Sequence, residues 1–338
     1  MTQPSLSPDS VLASAGAANA LPGAIVAAVD GMGLLAFDGA DAESFLQGQL
    51  SSDVSAMTPG AVHWTSYNSP KGRMLGTLLL FRAGPASFRA WVAAELAELL
   101  RKRLSMFVLR AKVTVSDMTS GSKRFGVAGP GAGDALRATF GAAPEPAQGL
   151  VALDCIVVAT PDGRVLVDVP NAFADAIGAT LAMHCGSAAS EYWHWLGIRA
   201  GVPVISAATQ DQFVPQTANW DLVGGINFRK GCYPGQEIVA RMQYLGRLKE
   251  RLFAFHVAAP PPAPATPLYH AAFGGQACGT VVNAAAAPEG GSDLLAVVQW
   301  AALADSALHL GAPEGPALAP LPLPYEVPPP TASSRPRL

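Results

Sequence analysis

Hydrophobic positions in this chain fall into short runs separated by turn residues, and their spacing alternates between strand and helix periods. GAIVAAVDG at 23–31 and LLAFDG at 34–39 each place a brief apolar run before a turn and read as strands. DAESFLQGQLSSDV at 41–54 follows with a helical stripe of Phe45, Leu46 and Leu50, and Asp41 stands where an N-cap belongs. HWTSYNS is strand-like, SPKGR at 69–73 is a tight turn, and MLGTLLLFRA is a buried strand. AAELAELLRKRLSMFVL predicts an amphipathic helix with Leu96, Leu99, Leu100 and Leu104 inward and the basic RKR outward. AKVTVSDM closes this stretch as a strand.

A second strand–helix set starts at RFGVAG, residues 124–129. GDALRATFG and FADAIGATLAMHC read as helices, with single strands at GLVALDCIVVAT and RVLVDV. EYWHWLGIRAGVPVI is a helix running into a turn. From Arg251 the pattern changes to short alternating runs (RLFAFHV, ACGTVVNA, LLAVVQWAAL) between Pro and Gly clusters, which predicts a small antiparallel β unit. The first 20 residues, MTQPSLSPDSVLASAGAANA, lack periodicity and read as a mobile leader. LPLPYEVPPPTASSRPRL at the other end reads as an extended proline-rich tail.

Composition narrows the function classes. At 338 residues, two or three domains are the default, and a 50% hydrophobic content is ample for burial. The net charge of −3 argues against a large nucleic-acid footprint, so direct nucleic-acid binding is not expected and any anion site is a local patch. The chain shows neither a basic-then-apolar secretory pattern near Met1 nor an apolar run near the roughly 20 residues of a membrane span, so the reading is cytoplasmic. The four cysteines, Cys155, Cys185, Cys232 and Cys278, lie far apart with no C-x-x-C pair, and no permanently bound metal is expected. Cys155 sits in an apolar run and reads as a small core hydrophobe, and Cys185 and Cys278 also read as structural.

Cys232 is different, because its neighbours are arranged. In KGCYPGQE, residues 230–237, Pro234 suits the first position of a helix and Glu237 its first turn. Ile238, Val239, Met242 and Leu245 continue as an apolar stripe, with Gly246 as the C-cap. Cys232 thus precedes a helix N-terminus and follows Lys230 by two residues, a setting that lowers a thiol's pKa. The bland alternative is a glycine turn whose cysteine fills a gap. From 229 to 251 six cations (Arg229, Lys230, Arg241, Arg247, Lys249, Arg251) face two glutamates, which is consistent with an anionic ligand or with a solvated helix face. Trp193 and Trp195, two of six tryptophans, could wall a pocket for a planar heterocycle or simply belong to the core.

KGCYPGQEIVAR resembles the signature K-G-C-Y-x-G-Q-E of the YgfZ family, folate-binding proteins of iron–sulfur cluster maintenance related to the glycine cleavage T-protein. FLQGQLSSDV, SPKGR, VLRAKVTV, IRAGVPVI, FVPQTANWDLVGGINF and YLGRLKERL occur in the family's order, so the resemblance covers about residues 22–325. It implies an α+β fold, a three-domain cloverleaf of aminomethyltransferase type. The expected parts are a first α+β folate-binding domain at 21–118 with 190–248, a second, ferredoxin-like α+β domain at 119–189, a C-terminal antiparallel β-barrel at 249–325, and the tail at 326–338. It also implies a tetrahydrofolate-binding accessory factor that assembles or repairs iron–sulfur clusters in client enzymes, tRNA-thiomodifying enzymes among them.

By the same resemblance Cys232 is the functional thiol, with Lys230 beside it, and a transient contact of the thiol with a cluster is implied. Met32, Trp193, Asn219, Gly231, Tyr233, Gly235, Gln236, Glu237 and Arg241 would surround the reduced folate. Aminomethyltransferases carry an Asp–Asp pair before the strand matching LLLF. Here residues 71–77 read KGRMLGT, without a carboxylate, so the transferase reading loses its acid. A folate-dependent one-carbon transferase, a tRNA-binding module and a scaffold without folate remain the alternatives, and nothing in the sequence demands more than a monomer.

Overall fold

The computed structural model describes residues 23–246, 248–303 and 307–330. The leader at 1–20, Arg247, the side chain of Leu245 and the last eight residues of the tail lie outside this description.

Three sheets organise the chain. The first has strand order β3-β4-β5-β2-β6, built from β2 (Met32–Asp38), β3 (Val62–Asn68), β4 (Met74–Gly84), β5 (Ser87–Ala93) and β6 (Thr114–Asp117). All its pairings are antiparallel. Helices α1 (Ala42–Gln47) and α2 (Ala94–Ser105) accompany it. β4 reads as a continuous apolar run because the sheet is covered on both faces, leaving its first eight residues buried. On α2 the ridge Leu96, Leu100 and Leu104 is buried. Leu99, expected inward, is 46% exposed: the ridge of these three leucines, spaced four apart, already fills the seat on the sheet, and Leu99 falls beyond its edge. Asp41 stands at the N-cap of α1 but does not cap it; its Oδ2 accepts the Lys112 N–H instead, at 2.7 Å.

The second sheet has order β11-β1-β7-β10-β9-β8, formed by β1 (Ile25–Ala28), β7 (Ser122–Ala128), β8 (Gly149–Ala152), β9 (Cys155–Ala159), β10 (Val165–Pro170) and β11 (Gly186–Ala188). Helices α3 (Ala132–Phe140) and α4 (Ala174–His184) belong to it. The leading strand β1 pairs here, antiparallel to β7 and parallel to β11, so the chain enters this sheet before building the other. GLVALDCIVVAT, read from the sequence as one strand, is a hairpin. Leu153 and Asp154 take φ of 51° and 61° and turn β8 back on β9. A two-residue turn with both φ positive matches the twist of the strands it joins.

The third sheet is a closed antiparallel barrel in the order β12-β15-β14-β13-β16-β17: β12 (Glu250–Val257), β13 (Pro267–Tyr269), β14 (Ala277–Ala286), β15 (Ser292–Gln299), β16 (Leu308–Leu310) and β17 (Ala317–Leu321). Between the second sheet and the barrel run α5 (Ser190–Arg199), a long loop and α6 (Gln236–Leu245). The loop carries no helix or strand, yet Gln216, Ala218, Asn219 and Trp220 within it are fully buried.

Buried polar contacts lock the parts together. Trp91 Nε1 on β5 donates to Asp168 Oδ2 on β10 at 3.1 Å, and Arg124 closes an ion pair on the same oxygen at 2.9 Å. On the other side Trp195 Nε1 of α5 donates to Asp293 Oδ2 of the barrel at 2.8 Å. Trp195 is thereby a clamp between helix and barrel. The Arg251 guanidinium pairs both oxygens of Asp221 at 2.7 and 3.0 Å, holding the long loop on β12.

Candidate functional site

Where both sheets and the barrel meet there is a cavity of about 310 Å³. Met32 at the start of β2 and Trp193 on α5 both line it, so two positions far apart in sequence share one wall. Trp64 of β3 and Trp91 of β5 add aromatic surface, and Val282 to Ala284 of β14 bring in the barrel. Arg164, His194 and Glu95 supply its ionisable groups.

Trp193 is held tightly. A Cβ on Gly126 would lie 2.2 Å from its Cε3 atom, so only glycine on β7 lets the indole seat there. The Arg164 guanidinium lies over the ring at 4.6 Å from its centroid, a cation–π contact. Asp162 holds that guanidinium in turn, with a shortest contact of 2.7 Å and both partners buried. Trp193 therefore contributes a rigid wall, with its ring already engaged by Gly126 and Arg164. Burial holds the His194 imidazole below its ordinary pKa, and the nearby Arg164 charge acts in the same direction. Glu95, in the first turn of α2, is the one carboxylate among the described residues lining this cavity, and its Oε1 accepts the Ala207 N–H at 2.7 Å.

The KGCYPGQE segment lies elsewhere: none of residues 230–237 lines this cavity. Helix α6 begins at Gln236, with Gly235 as its N-cap at φ 77°, so Pro234 precedes the cap and does not occupy the first helical turn. A side chain on Gly235 would meet the Ser69 carbonyl at 2.4 Å and Gly72 Cα at 2.6 Å. The SPKGR turn and the start of α6 are thus pressed together backbone on backbone. Gln236 reaches back and donates its Nε2 proton to the Lys230 carbonyl at 3.2 Å. Glu237 and Arg241 are exposed on α6, and Gly231 is exposed in the preceding loop.

Lys230 points inward. It is 7% exposed, and its ammonium donates to the carbonyls of Gln47, Leu50 and Ser52 at 2.6, 2.6 and 2.8 Å. All three of its N–H bonds are committed to the turn after α1. Burial lowers its pKa to about 8, opposed by the charge of Asp53. The Tyr233 ring covers the ammonium at 5.2 Å, and burial raises that phenol to about 12. Cys232 lies between these two buried neighbours and is itself the exposed cysteine, while Cys155, Cys185 and Cys278 are buried. Burial raises the thiol pKa of all three buried cysteines.

Asn219 is fully buried, with φ 56°, and its Nδ2 donates to the Leu252 carbonyl of β12 at 2.9 Å. It stitches the long loop to the barrel and does not line the 310 Å³ cavity. Of the six cations that made 229–251 basic, Lys230 and Arg251 are buried and engaged, which shrinks the surface patch to Arg229, Arg241 and Lys249 among the described residues. Sequence reasoning missed Trp64, Trp91, Glu95 and Arg164. The one local signal was Gly126 inside RFGVAG, since a glycine within a strand marks a close approach. Among the described residues no group of three or more His, Cys, Asp or Glu side chains is placed to hold a metal ion. No helix among them is long and apolar enough to cross a membrane.

Comparison with known proteins places this geometry. The GCVT N-terminal domain family matches residues 15–150. The solved structure of the glycine cleavage system aminomethyltransferase T from Bartonella henselae superposes with a TM-score of 0.72 at 17% identity, covering 89% of this chain and 86% of that one. That likeness establishes the three-part aminomethyltransferase architecture. The tRNA-modifying protein YgfZ of Klebsiella pneumoniae is 34% identical over 233 residues, covering 67% of this chain and 69% of its own length. The protein of the same name from Escherichia coli O157:H7 is 36% identical over 234 residues, with the same coverage. With an aminomethyltransferase-type fold, the KGCYPGQE segment at the start of α6 and this degree of identity to both proteins, the chain belongs to the YgfZ family.

Proposed function

We propose that the protein is a tetrahydrofolate-binding accessory factor that acts in the cytoplasm on enzymes of tRNA modification, by supporting assembly or repair of their iron–sulfur clusters. The tRNA-modification part rests on the relatives, which carry that name. The folate part rests on one observation: a largely apolar cavity at the meeting of three domains brings Met32 and Trp193 together beside a few polar groups. A pterin is a flat ring with N–H donors on one edge. Aromatic and aliphatic walls from Trp64, Trp91 and Leu79 suit its faces, and Glu95 offers a carboxylate acceptor for those donors. Arg164, already paired with Asp162, and His194 line the same wall and offer N–H groups to acceptors of the same ligand. When bound, the reduced folate would supply one-carbon or redox chemistry, while the chain's own residues bind and orient it.

Cys232 completes the proposal as the thiol that meets a client, a sulfur species or a cluster. It is exposed, and it is held between two anchored neighbours, Lys230 and Tyr233. Its position outside the cavity lining separates the two roles, so they are separable by mutation. In an anaerobic calorimetric titration with 5-formyltetrahydrofolate, wild type binds saturably, Trp193→Ala binds at least about tenfold more weakly, and Cys232→Ser binds like wild type. In cells lacking the protein, Cys232→Ser fails to restore client activity. No saturable binding by wild type would overturn the folate reading, and full rescue by Cys232→Ser would overturn the thiol role. A folate-dependent one-carbon transfer is the second reading, because Glu95 puts a carboxylate on the cavity wall although residues 71–77 have none. Turnover of a methylene donor, lost in Glu95→Gln, decides between them.

A further inference from the structure

Helix α2 is apolar on two sides. Leu96, Leu100 and Leu104 are buried against the sheet, yet Leu99 is 46% exposed and Met106, the C-cap residue in helical conformation, is 65% exposed. These two stand at i and i+7 on one side of the helix, about 10 Å apart along its axis, with Lys102 between them at i+3. The turn that follows adds Phe107 at 45% and Leu109 at 87% exposure. Single exposed apolar residues are ordinary, but a group of them on one helix and its turn marks a contact surface. Leu109 is also strained. It is the first central residue of a turn closed by the Ala111 N–H on the Val108 carbonyl at 2.8 Å, and it takes φ 47°. A branched side chain rarely adopts that conformation, and here no burial compensates for it.

The same segment is basic. Residues 98–112 hold Arg101, Lys102, Arg103, Arg110 and Lys112 against Glu98, a local charge of +4 in a chain of net −3. Glu98 is engaged by Arg101 at 2.7 Å and by Lys102 at 3.2 Å, and Arg103 leans inward toward Tyr67. The side chains of Arg110 and Lys112 are exposed, with no hydrogen bond or ion pair among the described residues. The neighbouring acids are Asp41, which accepts the Lys112 N–H, and Asp117, near Arg101. Counting both still leaves a positive excess of two.

We propose that the outer side of α2 and its following turn is the docking surface for an acidic amphipathic helix of a partner protein. Leu99 and Met106 receive the apolar ridge of that helix, Phe107 and Leu109 close one end, and Lys102, Arg110 and Lys112 meet its carboxylates. Charge selects this occupant. A second copy of the chain would set the same positive surface against itself. A lipid surface needs a deep apolar face, and the deep face of α2 is already committed to the sheet. Nucleic acid would meet the cations but gains nothing from Leu99, Met106 and Leu109, which cannot stack. Glu95, one turn before Leu99 on α2, lines the first cavity, so the docked helix lies about 6 Å along α2 from that wall. The proposal goes beyond the folate and thiol readings and depends on neither.

The test uses the full chain and fluorescence anisotropy with a labelled designed peptide of about 18 residues, long enough to be helical. The peptide has leucines at i, i+3, i+4 and i+7 and glutamate and alanine elsewhere. It binds wild type saturably and more weakly as salt rises. The same peptide with glutamine for glutamate binds at least about tenfold more weakly. Leu109→Gly removes the side chain at a φ that glycine adopts freely, so the melting temperature does not fall while affinity drops about tenfold. Lys102→Glu with Arg110→Glu abolishes binding of the acidic peptide and gains binding of its lysine counterpart, a swap that loss of folding would not produce. Wild-type affinity in both variants would overturn the surface. Equal binding of the glutamine peptide would overturn the charge argument. Binding of phosphatidylserine vesicles or of unmodified tRNA, with no binding of the acidic peptide, would overturn the partner class.

Discussion

Replacing Lys230 by methionine tests what the lysine of the KGCYPGQE motif does. In the wild type its ammonium satisfies three carbonyls, those of Gln47, Leu50 and Ser52, at 2.6–2.8 Å in a site where the residue is 7% exposed. Methionine keeps the length and volume but donates nothing, so three acceptors lose their partner. Each orphaned acceptor costs about 1–3 kcal/mol, for a gross loss of about 3–9 kcal/mol. Burying an ammonium is itself unfavourable by several kcal/mol, and removing it returns part of that loss. The expected net destabilisation is about 2–4 kcal/mol, read from urea unfolding with an unchanged slope. The pH dependence gives a second readout. Burial lowers the Lys230 pKa from 10.5 to about 8, so between these values the unfolded chain holds more protons than the folded one. The contribution of this group therefore makes stability rise with pH across that window, and Lys230→Met lacks the rise. A loss below about 1 kcal/mol in Lys230→Met would refute the view of Lys230 as the anchor of the turn after α1.

Three further outcomes follow from the same geometry. Gly126→Ala drives a methyl into Trp193, 2.2 Å from its Cε3; overpacking of this kind costs about 1–3 kcal/mol, and calorimetry should show weakened folate binding alongside the lower melting temperature. Gly235→Ala puts a Cβ 2.4 Å from the Ser69 carbonyl at φ 77°; a loss above about 2 kcal/mol in chemical denaturation is expected, and a neutral result would show that the turn and α6 can separate freely. In the native protein a thiol reagent such as Ellman's reagent titrates Cys232 rapidly, and Cys155, Cys185 and Cys278 react only after urea is added.

What the sequence determined by itself was local and periodic. Alternation and helical stripes placed the strands and helices because a half-buried surface imposes its own period on the residues that cover it. The apolar run around Cys155 correctly marked a buried thiol, whereas the close approach of Gly235 to the SPKGR turn was invisible. The same periodicity misplaced Leu99, since the width of the seat beneath a helix is a property of the sheet. It also fused β8 and β9, because Leu153 and Asp154 carry no glycine to announce a turn.

Only the tertiary structure decided which side chains meet. Trp64, Trp91, Trp193 and Arg164 come from four segments, and no spacing in the chain relates them. The charge count over 229–251 was consistent with an anionic ligand or a solvated helix face, but folding turned Lys230 and Arg251 inward to serve carbonyls and Asp221. A basic residue in sequence is only a potential donor; its partner, and hence its role, is set by which buried acceptors the fold leaves unsatisfied. The motif that identified the family does not line the cavity; Met32 and Trp193, named from the sequence, do line it, while Trp64, Trp91, Glu95 and Arg164 were legible only in three dimensions.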